Sequence, residues 1–282
     1  MEPQRKKLLD FKLKEFPQPE YYPLKYPVLL CHGFGAVVSM ILPSPLHHTC
    51  MFMREHGIVA FAPNIAPYVK LEVGSAAWAR IIGKVLKMTG SPKINVIAHS
   101  MGGLSLRHAI HTLDLSEIVS SLTTVSSPHH GTSLAEMALE TPKTALEAFI
   151  KLSDRMGNAI YPEIQSDVTG AMHQLTRSYM AEFNEKVPDS PEVSYYSISA
   201  ATGKETDSSI GVLLSFYNRY IYGREGANDG FVSEKSAHWG EHIGCVKLSH
   251  LEQVKISLSK SQISEWENLW LEIIRRLSKD GH

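Results

Sequence analysis

The stretch Lys93-Ile94-Asn95-Val96-Ile97-Ala98-His99-Ser100-Met101-Gly102-Gly103-Leu104 constrains this chain more than any other. Its first half is a short β-branched apolar run, the mark of a buried strand. Its second half is small, and Leu104-Ser105-Leu106-Arg107-His108-Ala109-Ile110 then carries helical spacing. A lone serine sits at the junction, framed by Ala98 and Gly102. A strand that turns sharply into a helix needs small residues two before and two after the apex, because the two backbones nearly touch there. The turn holds Ser100 in a strained conformation with its Oγ above the sheet, and the helix N-terminus behind it favours negative charge. Ala98 stands where the usual G-x-S-x-G pattern has its first glycine.

The rest of the first half alternates strands and helices. Tyr26–Cys31 reads as a buried strand running into His32-Gly33-Phe34-Gly35, where glycines let backbone come close to something. His47–His56 reads as a helix and Ile58–Ala62 as a strand. Trp78, Ile81, Ile82 and Val85 mark a helical face closed by Gly90, and Leu122–Val125 is a further strand. This alternation predicts a doubly wound, mostly parallel sheet with ligands beyond the strand C-termini. At 282 residues the chain is long enough for one such domain, and we take 1–282 as a single unit.

From Ser133 the rhythm breaks, and residues 133–188 read as a helical cap or lid inserted in the core. Leu146, Phe149, Ile150, Met156 and Ile160 give it an apolar stripe, while Met172, Leu175, Tyr179 and Met180 read as packing. The core resumes at Val193–Ile198. A helical insert follows at about 208–222, then a strand at Ile243–Leu248. A C-terminal helix is striped by Ile263, Trp266, Trp270, Ile273, Ile274 and Leu277. The first 25 residues form a basic arm with an edge-strand pattern at Leu9, Phe11 and Leu13, expected to pack across the domain.

A serine hydroxyl needs a base, a carboxylate to orient that base, and donors for the oxyanion. His250, just after the last predicted strand, is the candidate base. Asp229, in Asn228-Asp229-Gly230, is the candidate acid and Asp207 its rival. The order Ser100, Asp229, His250 is that of one large hydrolase class. His32, His99, His129 and His130 read as bracing and packing residues, and Trp239 as packing near the Asp229 loop.

On these motifs the chain resembles the α/β-hydrolase lipases, specifically the bacterial triacylglycerol lipase group with its microbial and fungal relatives. The carrying pieces are Pro27–Gly35, the Ala-His-Ser-Met-Gly elbow at 98–102, Ser127–Thr132, Asn228–Val232 and His250–Glu252, in the family's order. The resemblance implies an α/β-hydrolase fold and an esterase or lipase without a cofactor. Ser100 would be nucleophile, Asp229 acid and His250 base, with the Phe34 and Met101 backbone N–H groups forming the oxyanion hole. Several relatives bind calcium through a carboxylate two residues past the histidine. Glu252 stands there, but Ile256 occupies an expected ligand position, so no metal is expected, although Asp207 and Glu252 keep the question open.

Composition excludes other classes. A net charge of −1 offers nothing to nucleic acid. No apolar run approaches a membrane span, and charges break the N-terminus too early for a signal peptide. Cys31, Cys50 and Cys245 are few and odd in number, two of them in apolar runs that read as buried, which fits a reducing cytoplasm. The expectation is a monomeric hydrolase acting on acylglycerols or other fatty-acyl esters, with a lipid–water interface as one candidate setting. The alternatives are a phospholipase, thioesterase or acyltransferase on the same residues, or a catalytically silent binding protein of the same fold.

Overall fold

The computed structural model describes residues 20–34, 44–140, 166–256 and 258–282. Among them six strands form one sheet: β1 (Val28–Cys31), β2 (Ala60–Phe61), β3 (Ile94–His99), β4 (Val119–Val125), β5 (Ser194–Ala200) and β6 (Glu241–Val246). Their order is β2-β1-β3-β4-β5-β6 and every pairing is parallel. The helices are α1 (His47–Glu55), α2 (Leu71–Thr89), α3 (Met101–Thr112), α4 (Ser133–Glu140), α5 (Val168–His173), α6 (Arg177–Lys186), α7 (Val212–Glu225) and α8 (Ile263–Lys279).

A parallel sheet has to be covered on both faces, and the alternation of side chains along each strand supplies two cores. Val28 and Leu30 of β1 join Cys50 and Met53 of α1 and the buried stripe of α8. Leu29 and Cys31 point the other way and join Trp78, Ile82 and Val85 of α2 with Leu106 and Ile110 of α3. In α8, Trp266, Leu269, Trp270, Ile273, Ile274 and Leu277 are all buried. Each is worth about 1.5–3 kcal/mol on removal from water. Ile263, placed on that stripe by its spacing, is exposed, because it opens the helix before the turn that meets the sheet. Gly90 ends α2 at φ 68°, a left-handed cap that a side chain would strain.

Two edges differ from the sequence reading. The strand expected over Ile58–Ala62 pairs only at Ala60–Phe61. Among the described residues it is an edge strand with β1 as its sole neighbour, and Val59 turns to solvent. The last strand is Glu241–Val246 rather than Ile243–Leu248. Its register on β5 begins at Tyr196↔Glu241 and shifts between Ser197 and Ile198, so pairing overrides the apolar run.

The chain runs from β1 outward to the edge strand β2, then crosses back to β3 on the other side of β1. The C-terminal ends of β1 and β3 are therefore neighbours from which the following segments diverge, the usual place for a site in an open α/β sheet.

Between β4 and β5 come α4, α5 and α6. Ala171, Met180 and Phe183 pack with Leu71, Met101 and Leu104, so α5 and α6 lie against the start of α3. Leu175 and Tyr179 pack against the same cluster, as their spacing suggested. The stripe Leu146, Phe149, Ile150, Met156 and Ile160, and the N-terminal Leu9, Phe11 and Leu13, lie outside the described residues.

Candidate active site

Ser100 ends β3 with φ 58° and ψ −138°, a conformation that side chains rarely adopt and that costs about 1–3 kcal/mol. The surroundings hold it there. Ser100 N–H donates to Val125 O (2.9 Å), and Ser100 O accepts from Ser127 Oγ (2.6 Å) and Gly103 N (3.1 Å). The small residues around it are required by space. A Cβ on Gly102 would lie 2.7 Å from His32 O, and one on Gly103 would lie 2.3 Å from Ser127 Oγ.

The loop after β1 crosses the elbow at equally close range. A Cβ on Gly33 would sit 2.6 Å from Met101 N and 2.9 Å from Ser100 Cβ. Met101 opens α3, whose first amides have no partner within the helix. The Phe34 and Met101 amides, singled out as oxyanion donors, thus come from two backbones in contact. Neither donates to another described residue. His32 braces the loop from below. Its Nε2 accepts from Ile65 N (3.2 Å), which leaves the proton on Nδ1 to donate to Gly33 O (3.2 Å). The ring stands edge-on to Trp78, and burial pushes it down to about 4, so it stays neutral.

Asp229 and His250 meet. His250 Nδ1 lies 2.7 Å from Asp229 Oδ2, and His250 N–H also donates to Asp229 O (2.9 Å). Asp229 is fully buried. Its Oδ1 accepts from the Phe231 and Val232 amides (3.0 and 2.9 Å), and Gln253 Nε2 donates to Oδ2 (2.9 Å). Burial alone would raise this carboxyl, but the neighbouring His250 and the Val232 and Phe231 amides bring it below its ordinary value. The Phe231 ring flanks His250 at 5.1 Å and the His99 ring at 4.5 Å. Ser100 Oγ and His250 share no hydrogen bond in this conformation. Catalytic contacts of this kind often tighten only with substrate bound.

The rival acid goes elsewhere. Asp207 is 72 % exposed and pairs with Lys247 Nζ (2.6 Å). Glu252 turns inward and accepts from Ser249 N (2.7 Å), closing its own turn, while Ile256 packs into the core. Among the described residues no three His, Cys, Asp or Glu side chains cluster as ion ligands. With one carboxylate spent on a backbone amide, one on a lysine and an isoleucine in the third place, these residues do not fit a calcium ion. His129 binds Thr124 Oγ1 (3.0 Å) and stacks on Trp239. Trp239 itself covers Arg107, 3.4 Å from guanidinium carbon to ring centre, and donates to Asp189.

Gln253 is the site residue that sequence reasoning missed. It sits three residues past His250 in the short turn Glu252–Val254, and that spacing was the available signal. The turn brings its amide back under Asp229.

Residues 26–218 match the family model described as alpha/beta hydrolase fold. The chain belongs to the α/β-hydrolase fold family. Among curated proteins, this α/β-hydrolase is 26 % identical over 288 residues to triacylglycerol lipase 2 of Saccharomyces cerevisiae, covering 83 % of this chain and 81 % of that one. It is also 26 % identical over 293 residues to a triacylglycerol lipase of Pseudomonas fragi, covering 91 % and 97 %. Among solved structures, a metagenomic carboxyl esterase superposes with a TM-score of 0.72 at 18 % identity, over 94 % of this chain and 79 % of that one. A Bacillus licheniformis lipase in mature form does so with a TM-score of 0.63 at 20 % identity, over 90 % and 96 %. These structural matches carry the fold. The two curated relatives are both triacylglycerol lipases.

Proposed function

We propose that this α/β-hydrolase is a serine carboxylic-ester hydrolase of the lipase and esterase type, acting on acylglycerols or other fatty-acyl esters. The observation that carries the reading is the Ser100 elbow at the β1/β3 switch point, with the Gly33–Phe34 loop lying on the Met101 amide. The buried Asp229–His250 pair supports it.

Ser100 Oγ attacks the ester carbonyl while His250 Nε2 takes its proton, and Asp229 holds the imidazolium that forms. The carbonyl oxygen becomes an oxyanion held by the Phe34 and Met101 N–H groups. Collapse breaks the acyl–oxygen bond, and His250 returns the proton to the leaving alcohol. Water then attacks the acyl-serine, giving its proton to His250, and the acid departs as Ser100 is reprotonated.

The substrate class rests on the two lipase relatives and on the rim of the site. Val212, Leu213 and Phe216 are 94, 76 and 67 % exposed on the first turns of α7. Rings link this patch to the candidate base: Phe216 contacts Tyr217, Tyr217 contacts Phe231, and Phe231 contacts His250. An apolar lip beside an ester-cleaving site suits work at a lipid–water surface. One chain supplies Ser100, Asp229 and His250, so the proposed working unit is a monomer. Free thiols at Cys31, Cys50 and Cys245 fit a reducing compartment.

The test is a fluorophosphonate probe on the native and Ser100→Ala proteins, with a p-nitrophenyl ester chain-length series and emulsified triglyceride alongside. Labelling that is lost in Ser100→Ala, with ester turnover, is expected. Labelling of Ser100→Ala equal to that of the native protein sinks the assignment.

A further inference from the structure

Gln253 is fully buried, and its side-chain amide spans two groups of the site. Nε2 lies 2.9 Å from Asp229 Oδ2, and Oε1 lies 3.1 Å from His99 Nε2. A carboxylate only accepts, so the amide nitrogen faces Asp229 and the amide oxygen faces His99. His99 must then carry its proton on Nε2 and donate it. Burial pushes that ring down to about 3, so it keeps this neutral form.

The contacts close on themselves. His99 packs on His250, His250 binds Asp229, Asp229 accepts from Gln253, and Gln253 accepts from His99. The backbone of Gln253 is equally fixed, with its N–H on Ser249 O (3.2 Å) and its carbonyl accepting from Trp266 Nε1 of α8 (3.0 Å). The Phe231 and Val232 amides hold Oδ1 of the carboxylate. Oδ2 is shared between the candidate base and Gln253 alone among the described residues. The Oδ1 amides fix the carboxylate plane, and the Gln253 amide takes the one further hydrogen bond at Oδ2 beside the base.

On the ester-hydrolase reading above, we propose that Gln253 is a positioning residue that acts through Asp229. Its donor fixes the Oδ2 lone pair offered to His250 and offsets part of the carboxylate charge. Its acceptor ties the same carboxylate to His99, the residue preceding the nucleophile.

The test is kcat and KM against pH on a soluble butyrate ester, with melting temperature, for Gln253→Met, Asp229→Asn and the double variant. Gln253→Met is expected to lower kcat about ten- to a hundred-fold with KM little changed. The acid limb of kcat/KM should move to higher pH, because a carboxylate relieved of one donor holds a positive imidazolium more strongly. Among the described residues, His99 and His32, both neutral above about 4, stand near this pair, and Cys245, whose thiol burial pushes up, interacts with Asp229, so none of them changes charge across the acid limb. In the Asp229→Asn background the same substitution should cost only about two- to three-fold more, since its partner is gone. Gln253→Glu in its protonated form can donate to Oδ2 and accept from His99, so it should recover part of the rate at the acid end. If Gln253→Met fails to fold, that variant decides on the same readouts. An unmoved acid limb, or an equal loss in both backgrounds that follows the melting temperature, makes Gln253 a packing residue and overturns the proposal. Crippled Asp229→Asn with silent Gln253→Met overturns this proposal alone. Wild-type kcat in Asp229→Asn overturns the triad reading as well.

Discussion

A methyl group on Gly33 would sit 2.6 Å from the backbone nitrogen of Met101. Nothing at that position can give way cheaply, since the obstacle is backbone at the start of α3. Gly33→Ala should therefore lift the loop off the elbow and separate the two proposed oxyanion donors. The expected loss in kcat is about a hundred- to a thousand-fold, the cost of one oxyanion donor. Far-UV circular dichroism should stay near wild type. Unchanged kcat would place the oxyanion somewhere else.

The two candidate acids separate by a simple pair of substitutions. Asp229→Asn leaves the buried His250 facing an amide in place of a carboxylate, and kcat should fall about ten-thousand-fold. Asp207→Asn removes an exposed ion pair with Lys247, so kcat should remain within about two-fold, in keeping with the small worth of such pairs. The opposite ranking in steady-state assays would reverse the assignment.

Stability should fall on acidification before the carboxylates matter. His32 and His99 are buried and held at about 4 and about 3, whereas in the unfolded chain both take a proton near pH 6.5. Their folded values are depressed, so the stability they contribute is present above about pH 6.5. It is lost as pH falls toward 4 and then 3. The slope is about 1.4 kcal/mol per pH unit for each ring while only the unfolded chain is protonated. Urea denaturation at pH 7, 6 and 5 should show it, and His99→Phe should remove one proton's worth of slope. Equal stability at pH 7 and pH 5 contradicts this.

Metal chelation should leave the protein as it was. With Glu252 closing its own turn and Ile256 in the core, dialysis against a chelator should change neither activity nor melting temperature. A loss restored by calcium but not by magnesium would show a site of another composition.

The exposed lip of α7 predicts a split between substrates. Phe216→Asp places a charge on a residue that is already in water, so folding should be little affected. Hydrolysis of emulsified long-chain triglyceride should fall at least several-fold, while soluble acetate and butyrate esters are cleaved as before. Loss on both substrates in parallel would mean that α7 bears on the site itself rather than on its access to lipid.

What the sequence made legible was whatever depends on neighbours in the chain. Ala98, Gly102 and Gly103 announce the elbow because local crowding forbids anything larger, β1 and β3 announce themselves by apolar runs, and β4 and β5 by β-branched and aromatic residues. Less legible were features set by partners far along the chain. The limits of β2 and β6 depend on single neighbours at the sheet edges. The choice of Asp229 over Asp207 depends on which loop reaches His250. Gln253 looks like an ordinary polar residue until His99, 154 positions away, is brought against it.

The register Cys31↔Ala98 between β1 and β3 sets the two strand ends side by side before either loop begins. The spacing of the amides at 34 and 101 is thus inherited from the pitch of the sheet and owes nothing to the side chains there. Because the proposed donors are backbone groups, a substitution at 34 or 101 changes the surface around them while the amides stay put, within the limit that the Met101 side chain packs with Leu71 and Leu104. New substrate preference can be sought at the centre of the reaction without dismantling it.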